Sequence, residues 1–371
     1  MKKLLILGVL VLFLGSTIPS SASQPLPSRH IITVDDEPGD ADFTSIKEAV
    51  NASNPGDTIE VYSGTYPEQN IVIGIANTTL LGVAHELGGG DDSGQPLIQG
   101  SKTGPILHVE ASNVTVSNLH FVHSGAFYSH CIFVRSYDNL TITGCCVRGS
   151  KNESNFGITI ISCNGTRIID NDVSNCFVGI WIESTVRPRS VTVTGNVVSD
   201  CSPDNSYLKC GDGILLYGDS QNISGNIIRR CNLGIDVRGT KNIIYQNDFD
   251  GCPICFYSPG FMDSVRGNTI LHNNFKNYSL LHWWDFKNYS RGSWWDRSIQ
   301  WFPGQGIVFE KKDLWRENYW DTWRGVGPQK ILGMFGVAIG GPFSKIGLIF
   351  PRFEYDWHPA TKPYALSAPS Q

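Results

Sequence analysis

The 371-residue chain predicts an all-β fold, a parallel β-helix solenoid of about nine or ten coils with an N-terminal capping helix and an aromatic-rich C-terminal cap. Three observations predict it. One short pattern recurs from residue 119 to 275: a β-branched or aliphatic residue, a polar corner that is usually Asn, an apolar residue and often a cysteine. Its fullest copies read IIDNDVSNC, VTGNVVSDC, ISGNIIRRC and IYQNDFDGC, with VSNLHF, ITGCCV and ILHNNF on either side. Aligned on the corner, Leu119, Cys145, Asn171, Asn196, Asn226, Asn247 and Asn273 fall in register at gaps of 26, 26, 25, 30, 21 and 26 residues, a solenoid period. Within each copy the apolar alternation changes parity. Val193 lies three residues before Asn196 and Val198 two after it, so both face inward only if the chain bends at the corner. The remaining arc is a further strand, CIFV at 131–134, GITI at 157–160, GIWI at 179–182, GILL at 213–216, GIDV at 234–237 and ICFY at 254–257, which makes three strands per coil.

In chain order, Met1-Lys2-Lys3, the apolar run Leu4 to Leu14 and small residues through Ser23 have the layout of a secretory signal peptide over residues 1–23. Residues 24–275 are the expected β-helix with its cap. DFTSIKEAVNASNPGDTIEV predicts an amphipathic helix across the first coil: Ser45 and Glu48 make a capping-box pattern, Ile46, Ala49 and Val50 share a face, and Pro55-Gly56 ends it. TIEVYSGTYPEQNIVIGIANTTLLGV and PLIQGSKTGPILHVEASNVTV each supply a weaker coil. The corner suits Asn because Asn tolerates left-handed backbone angles and its amide can hydrogen-bond from coil to coil. From about Lys276 the repeat stops, and residues 276–371 hold nine of the ten tryptophans, a composition that closes the end of an apolar core.

Cleavage of the signal would remove Lys2 and Lys3 and move the formal charge from −5 to −7, with no basic block, which argues against nucleic acid as a partner. Beyond the signal, the apolar run from Ile331 to Pro342 is interrupted by Gly333, Gly336, Gly340 and Gly341 and is too short to span a bilayer. The expected location is secreted, extracellular or at the cell surface, and periplasmic if the source has an outer membrane. Nine Asn-x-Ser/Thr sequons suit a glycosylated exported surface. Ten cysteines in an exported chain would ordinarily suggest disulfides. Here Cys176, Cys201, Cys231 and Cys252 share one repeat position and stack at about the 4.8 Å strand spacing, wider than the Cβ separation of about 3.8 Å that a disulfide favours, so neighbours would pair only with distortion and buried free thiols are expected.

At this point the residues carry a resemblance. ITVDDEPGDADFTSIKEAVNASNPGDTIEVYSGTYPEQNIVI followed by Asn-cornered coils resembles exported right-handed parallel β-helix repeat proteins, including the β-helix domain of the NosD-like periplasmic family. NYWDTWRG at 318–325 looks like the Asn-Tyr-Trp segment that often follows such repeats, and FEYDWHPATKPY at 353–364 is similar to a tail of archaeal surface members. The resemblance implies right-handed coiling. It does not imply one activity, since the fold hosts lyases, hydrolases, esterases, adhesins and scaffolds.

The outward face of the third strand of each coil is where chemistry is sought. Its first outward positions are expected at Phe133, Thr159, Trp181, Leu215, Asp236 and Phe256, and the second at Arg135, Ile161, Glu183, Tyr217, Arg238 and Ser258. Rings beside charges on a ribbed face suit a sugar chain, so Phe133, Arg135, Trp181, Glu183, Tyr217, Asp236, Arg238 and Phe256 are the candidate ligand-binding residues. The same pattern also describes ordinary outward strand positions, and a loop over 202–210 could cover it. Glu183, Asp236 and Arg238 are the weak catalytic candidates; the two carboxylates sit two coils, roughly 10 Å, apart, marginal for glycoside hydrolysis. No cofactor is expected; calcium would be needed only by a lyase, and no clustered Asp triplet marks a calcium nest. The NosD-like resemblance implies copper handling as a minor alternative, with His120, His123, His130, Cys131, Cys145 and Cys146 close in sequence, but no metal set is assigned because these positions do not converge. The leading expectation is a non-catalytic protein binding a polysaccharide or a surface glycan or protein; the competitor is a polysaccharide lyase or glycoside hydrolase.

Overall fold

The computed structural model describes residues 30–125, 129–150, 155–184, 190–201, 211–257, 267–278, 280–283, 314–321, 323, 325–339 and 346–365. The chain winds through three parallel sheets of eleven, ten and nine strands, visiting each once per coil. The first sheet runs from Ile31–Val34 to Leu314–Arg316, the second from Thr65–Tyr66 to Tyr319–Trp320, and the third from Ile71–Ile73 to Leu280–Trp283. A parallel β-helix is thus the fold. The ladders continue past residue 275, because Leu314–Arg316 and Tyr319–Trp320 pair with Thr269–Leu271 and Asn274–Lys276. A separate antiparallel hairpin, Gln329–Ile339 with Ile346–Asp356, follows.

The core is a set of aliphatic columns. Ile142, Ile168, Val193, Ile223, Ile244 and Ile270 stack in the first sheet, and Ile132, Ile158, Ile180, Ile214 and Ile235 in the third, all fully buried. Each such side chain contributes roughly 1.5–3 kcal/mol of burial. At the C-terminal end the columns turn aromatic: Phe249, Phe275 and Trp320 stack face to face at 5.1 and 4.5 Å. Trp320 therefore closes the core as the tryptophan-rich composition predicts.

The capping helix forms over Ile46–Ala52, with the Ser45 hydroxyl accepting from the Glu48 amide and Ile46, Ala49 and Val50 buried. Glu68 adds a second cap, its carboxylate accepting from the amides of Ile46 and Lys47 at 2.8 and 2.9 Å.

The Asn corners form one continuous ladder, but the left-handed angle lies elsewhere than expected. It belongs to the residue before each corner, Asn118, Gly144, Asp170, Gly195, Gly225, Gln246 and His272. Asn is chosen instead for its amide. Asn171, Asn196, Asn226, Asn247 and Asn273 are buried, and each Oδ1 accepts from the backbone N–H of the preceding corner. Each Nδ2 from Asn171 to Asn247 donates in turn to the next Oδ1. Asn273 passes both bonds to Asn318, and Asn318 passes both to the buried carboxylate of Asp356. A carboxylate has no amide hydrogen left over, so it ends the ladder without an unpaired donor.

The cysteine column is buried at Cys176, Cys201, Cys231 and Cys252, and Cys176, Cys201 and Cys231 are free thiols. Its partner is a glycine column. A Cβ on Gly157 would approach the Cys176 sulfur to 3.2 Å, one on Gly179 the Cys201 sulfur to 3.1 Å, and one on Gly213 the Cys231 sulfur to 3.3 Å. Small thiols therefore fill space that glycines leave.

Candidate functional site

The third sheet presents three outward columns where two were expected. Phe133, Thr159, Trp181, Leu215 and Asp236 pair in one line, and Arg135, Ile161, Glu183 and Tyr217 in the next, as the sequence places them. The missed column is His130, Phe156, Val178, Asp212 and Leu233. It stands on the outer side because the glycine after Phe156, Val178, Asp212 and Leu233 turns the strand parity. Phe156, Val178 and Leu215 form an apolar cluster of their own, apart from the core and packed with Phe177, Trp181 and Tyr217. The Gly-Ile that recurs in four consecutive coils, at 157–158, 179–180, 213–214 and 234–235, was the signal.

One candidate is misplaced. Phe256 pairs with Ile235, an inward position, and Tyr257 stands opposite Asp236 in the outward register. Counting two residues from the column cysteine gives the right alignment, since Cys231 leads to Leu233 and Cys252 to Ile254. Ser258 and the 202–210 loop lie outside the described residues.

Aromatic rings run continuously across four coils of this face. His108 lies 5.2 Å from Phe133, Phe133 4.9 Å from His130, His130 stacks on Phe156 at 4.8 Å, and Phe156 meets Trp181 at 5.3 Å. Phe133 and Trp181 remain half-buried, so edges of the row are open to solvent. The Trp181 indole N–H is a buried donor without a hydrogen-bond partner. His130 Nδ1 bonds the Thr159 hydroxyl at 2.9 Å, and burial holds its ring down at about 4, so it is neutral at physiological pH.

Beyond Trp181 the face becomes polar. Asp236 is fully buried, and Arg238 donates to both its oxygens, Nε at 3.1 and 3.0 Å and Nη2 to Oδ2 at 2.6 Å. The same guanidinium donates to the Tyr217 hydroxyl and lies 4.5 Å from that ring's centroid. Burial pushes Asp236 up to about 6 against the pull of Arg238, which leaves the pair ionised at neutral pH. Asp212 on the neighbouring coil is also buried, with one oxygen unpartnered; burial and the Asp236 charge hold it well above the usual carboxylate range. The sequence places Asp236 as an outward carboxylate available to a substrate. It does point outward, but burial and Arg238 take up its oxygens.

Glu110 and Glu183 are the carboxylates this face offers toward solvent among the described residues, one exposed and one half-buried. They are three coils apart along the column of Arg135 and Ile161, about 14 Å by strand spacing. That exceeds the span of about 5–9.5 Å that paired carboxylates use in glycoside hydrolysis.

The sequence family described as periplasmic copper-binding protein (NosD) matches residues 93–325. The chain belongs to the NosD family. No curated protein sequence matches the chain. Similar solved structures include a PL6 family alginate lyase, AlyGC, at 15% identity over 69% of this chain and 40% of that chain with a TM-score of 0.46. Pectin methylesterase PemA from Erwinia chrysanthemi is 10% identical over 76% and 92% of the two chains with a TM-score of 0.41. Pectate lyase Pel9A is 13% identical over 68% and 80% with a TM-score of 0.37. Among the described residues of this NosD-family chain, no helix is long and apolar enough to cross a membrane.

Copper takes imidazole and thiolate donors, and the residues present do not fit it. Both ring nitrogens of His123 are engaged, by Gly104 O and the Gly125 amide, and Cys131 and Cys145 lie in the core with thiols pushed by burial to about 12. His120 and Cys146 stand opposite each other in the second sheet, with His120 Nε2 unpartnered. Among the described residues, the groups of three or more metal-ligating side chains contain carboxylates alone.

Proposed function

We propose that this NosD-family protein is exported and binds a polysaccharide along the outward face of its third sheet without cleaving it. The observation that supports the reading is the continuous row of His108, Phe133, His130, Phe156 and Trp181, whose exposed edges offer apolar surface to sugar rings. Arg135 and Glu183, on the adjacent column, supply charges for hydroxyl and carboxyl groups. The wide separation of Glu110 and Glu183 supports binding over hydrolysis.

A glycan array of the purified protein tests this, followed by calorimetry on the best ligand with Trp181→Ala and Phe133→Ala. Each substitution is expected to weaken binding about tenfold, the loss of one stacking contact worth roughly 1–1.5 kcal/mol. Binding unchanged in both variants would remove the face from consideration. Release of reducing ends or unsaturated products, lost in Glu183→Gln, would establish a polysaccharide lyase or hydrolase instead.

A further inference from the structure

The N-terminal end carries a second cluster, distant from the aromatic face. Asp35, Asp36 and Glu37 follow the first strand, Ile31–Val34, while Glu86 and Asp92 come from the loop after Thr79–Gly82. The sequence shows no Asp triplet, and the fold assembles the cluster from segments some fifty residues apart. One carboxylate oxygen from each of Asp35, Asp36 and Glu37 lies within 4.8 Å of the others, and the same holds for Glu37, Glu86 and Asp92.

Two independent features point to a ligand. Asp35 is fully buried, yet neither of its carboxylate oxygens has a hydrogen-bond donor. Glu86 and Asp36 are half-buried and Glu37 and Asp92 exposed; the Glu86 oxygens and Asp36 Oδ1 are shielded from solvent without a donor, while Asp36 Oδ2 accepts from the Thr65 amide at 2.9 Å. Buried carboxylates ordinarily collect N–H donors or a basic partner. Among the described residues no lysine or arginine pairs with any of the five. Gly64 is required beside them, because a Cβ there would lie 2.0 Å from Asp36 Oδ1.

We propose that Asp35, Asp36, Glu37, Glu86 and Asp92 form a calcium site that staples the 83–96 loop to the first strand and seals the N-terminal end of the solenoid. Ligands of one calcium ion lie no more than about 4.6–5.2 Å apart at its usual 2.3–2.6 Å bond lengths, and the oxygens of each of the two triads lie within 4.8 Å of one another. Magnesium prefers one or two carboxylates and retained water, whereas calcium accepts many.

Calorimetric titration of the chelator-stripped full chain with calcium and, separately, magnesium tests the site. Calcium is expected to bind with a Kd of about 0.1 mM or tighter, so 10 mM calcium multiplies the folded-to-unfolded ratio roughly 100-fold and raises Tm. Asp35→Asn with Glu86→Gln should keep the far-ultraviolet spectrum and abolish that response. Because such a variant could fail to fold, terbium luminescence sensitised by the neighbouring Tyr62 and Tyr66 is measured on the unaltered protein. Quenching by calcium competition supports the site. No heat and no competed luminescence up to 10 mM calcium, a Tm response retained in the folded double variant, or magnesium binding as tightly as calcium would each overturn it.

Discussion

Asp356 shows how much one side chain can hold. It accepts from the amides of Glu317, Asn318 and His358, the Asn318 side chain and the Trp320 indole, and it is fully buried. Asp356→Ala leaves several buried donors unpaired and is expected to cost about 2–4 kcal/mol in urea unfolding, with Asp356→Asn costing less because one acceptor oxygen survives. Asp212 works in the other direction. Its folded-state pKa is raised, so its charge opposes folding at neutral pH and the opposition fades as pH falls toward the unfolded value. Asp212→Asn should therefore stabilise the protein by about 1 kcal/mol in thermal melts at neutral pH, with a gain that shrinks in acid. Neither residue was singled out by its sequence surroundings. Asp356 lies in a tail whose contact with Asn318 spans 38 positions, and Asp212 precedes a glycine whose meaning is a crowded corner.

At the scale of the element, the unit is a corner and the strand after it. The Asn ladder passes hydrogen bonds along the axis, and the cysteine and glycine columns interlock behind it. Gly179→Ala would place a Cβ 2.6 Å from Val198 Cγ1 and 2.7 Å from the Gly213 carbonyl. A loss of about 1–3 kcal/mol is expected in equilibrium unfolding, with Gly74→Ala, whose Cβ would meet nothing within 4 Å, as a comparison for the backbone contribution alone. The corners, the strands, the cap helix and the first two outward columns were legible because period and parity are properties of the chain itself. The third column was not, because a glycine shifts the facing of the residue before it, and the register of Phe256 was not, because its coil carries Cys255 where the preceding coil carries Gly234.

For the whole molecule, pH reports the balance of the groups whose titration the fold shifts. Asp35, Glu37, Glu86, Asp212 and Asp236 all have raised folded-state pKa values, so each contributes stability as pH falls through its window, Glu37 from about 7 and Asp236 from about 6. His120, His123 and His130 are depressed by burial and act oppositely, costing stability once pH drops below 6.5, their unfolded value. Asp42 and Glu317, lowered by bonds to Thr33 and His272, add stability that is lost only in stronger acid. In chelator, Tm is expected to rise from about pH 8 to about 6.5 and to pass its maximum between about 5 and 6.5, as a calorimetric pH series would show. A Tm that climbs steadily to alkaline pH would contradict the raised values of these carboxylates.

By itself the sequence determined the solenoid: the period, the Asn corners, the cysteine stack and the capping helix are local patterns, and stacking identical coils leaves their side chains little choice of partner. Only the tertiary structure decided which outward residues are usable. It buried Asp236 beneath Arg238, joined five rings from four coils into one row, ended the Asn ladder on Asp356 and gathered carboxylates from two distant segments at the N-terminal end. The reason is physical: inward positions answer to the repeat, whereas exposure, pairing and charge convergence depend on what packs across coils, which no single coil encodes.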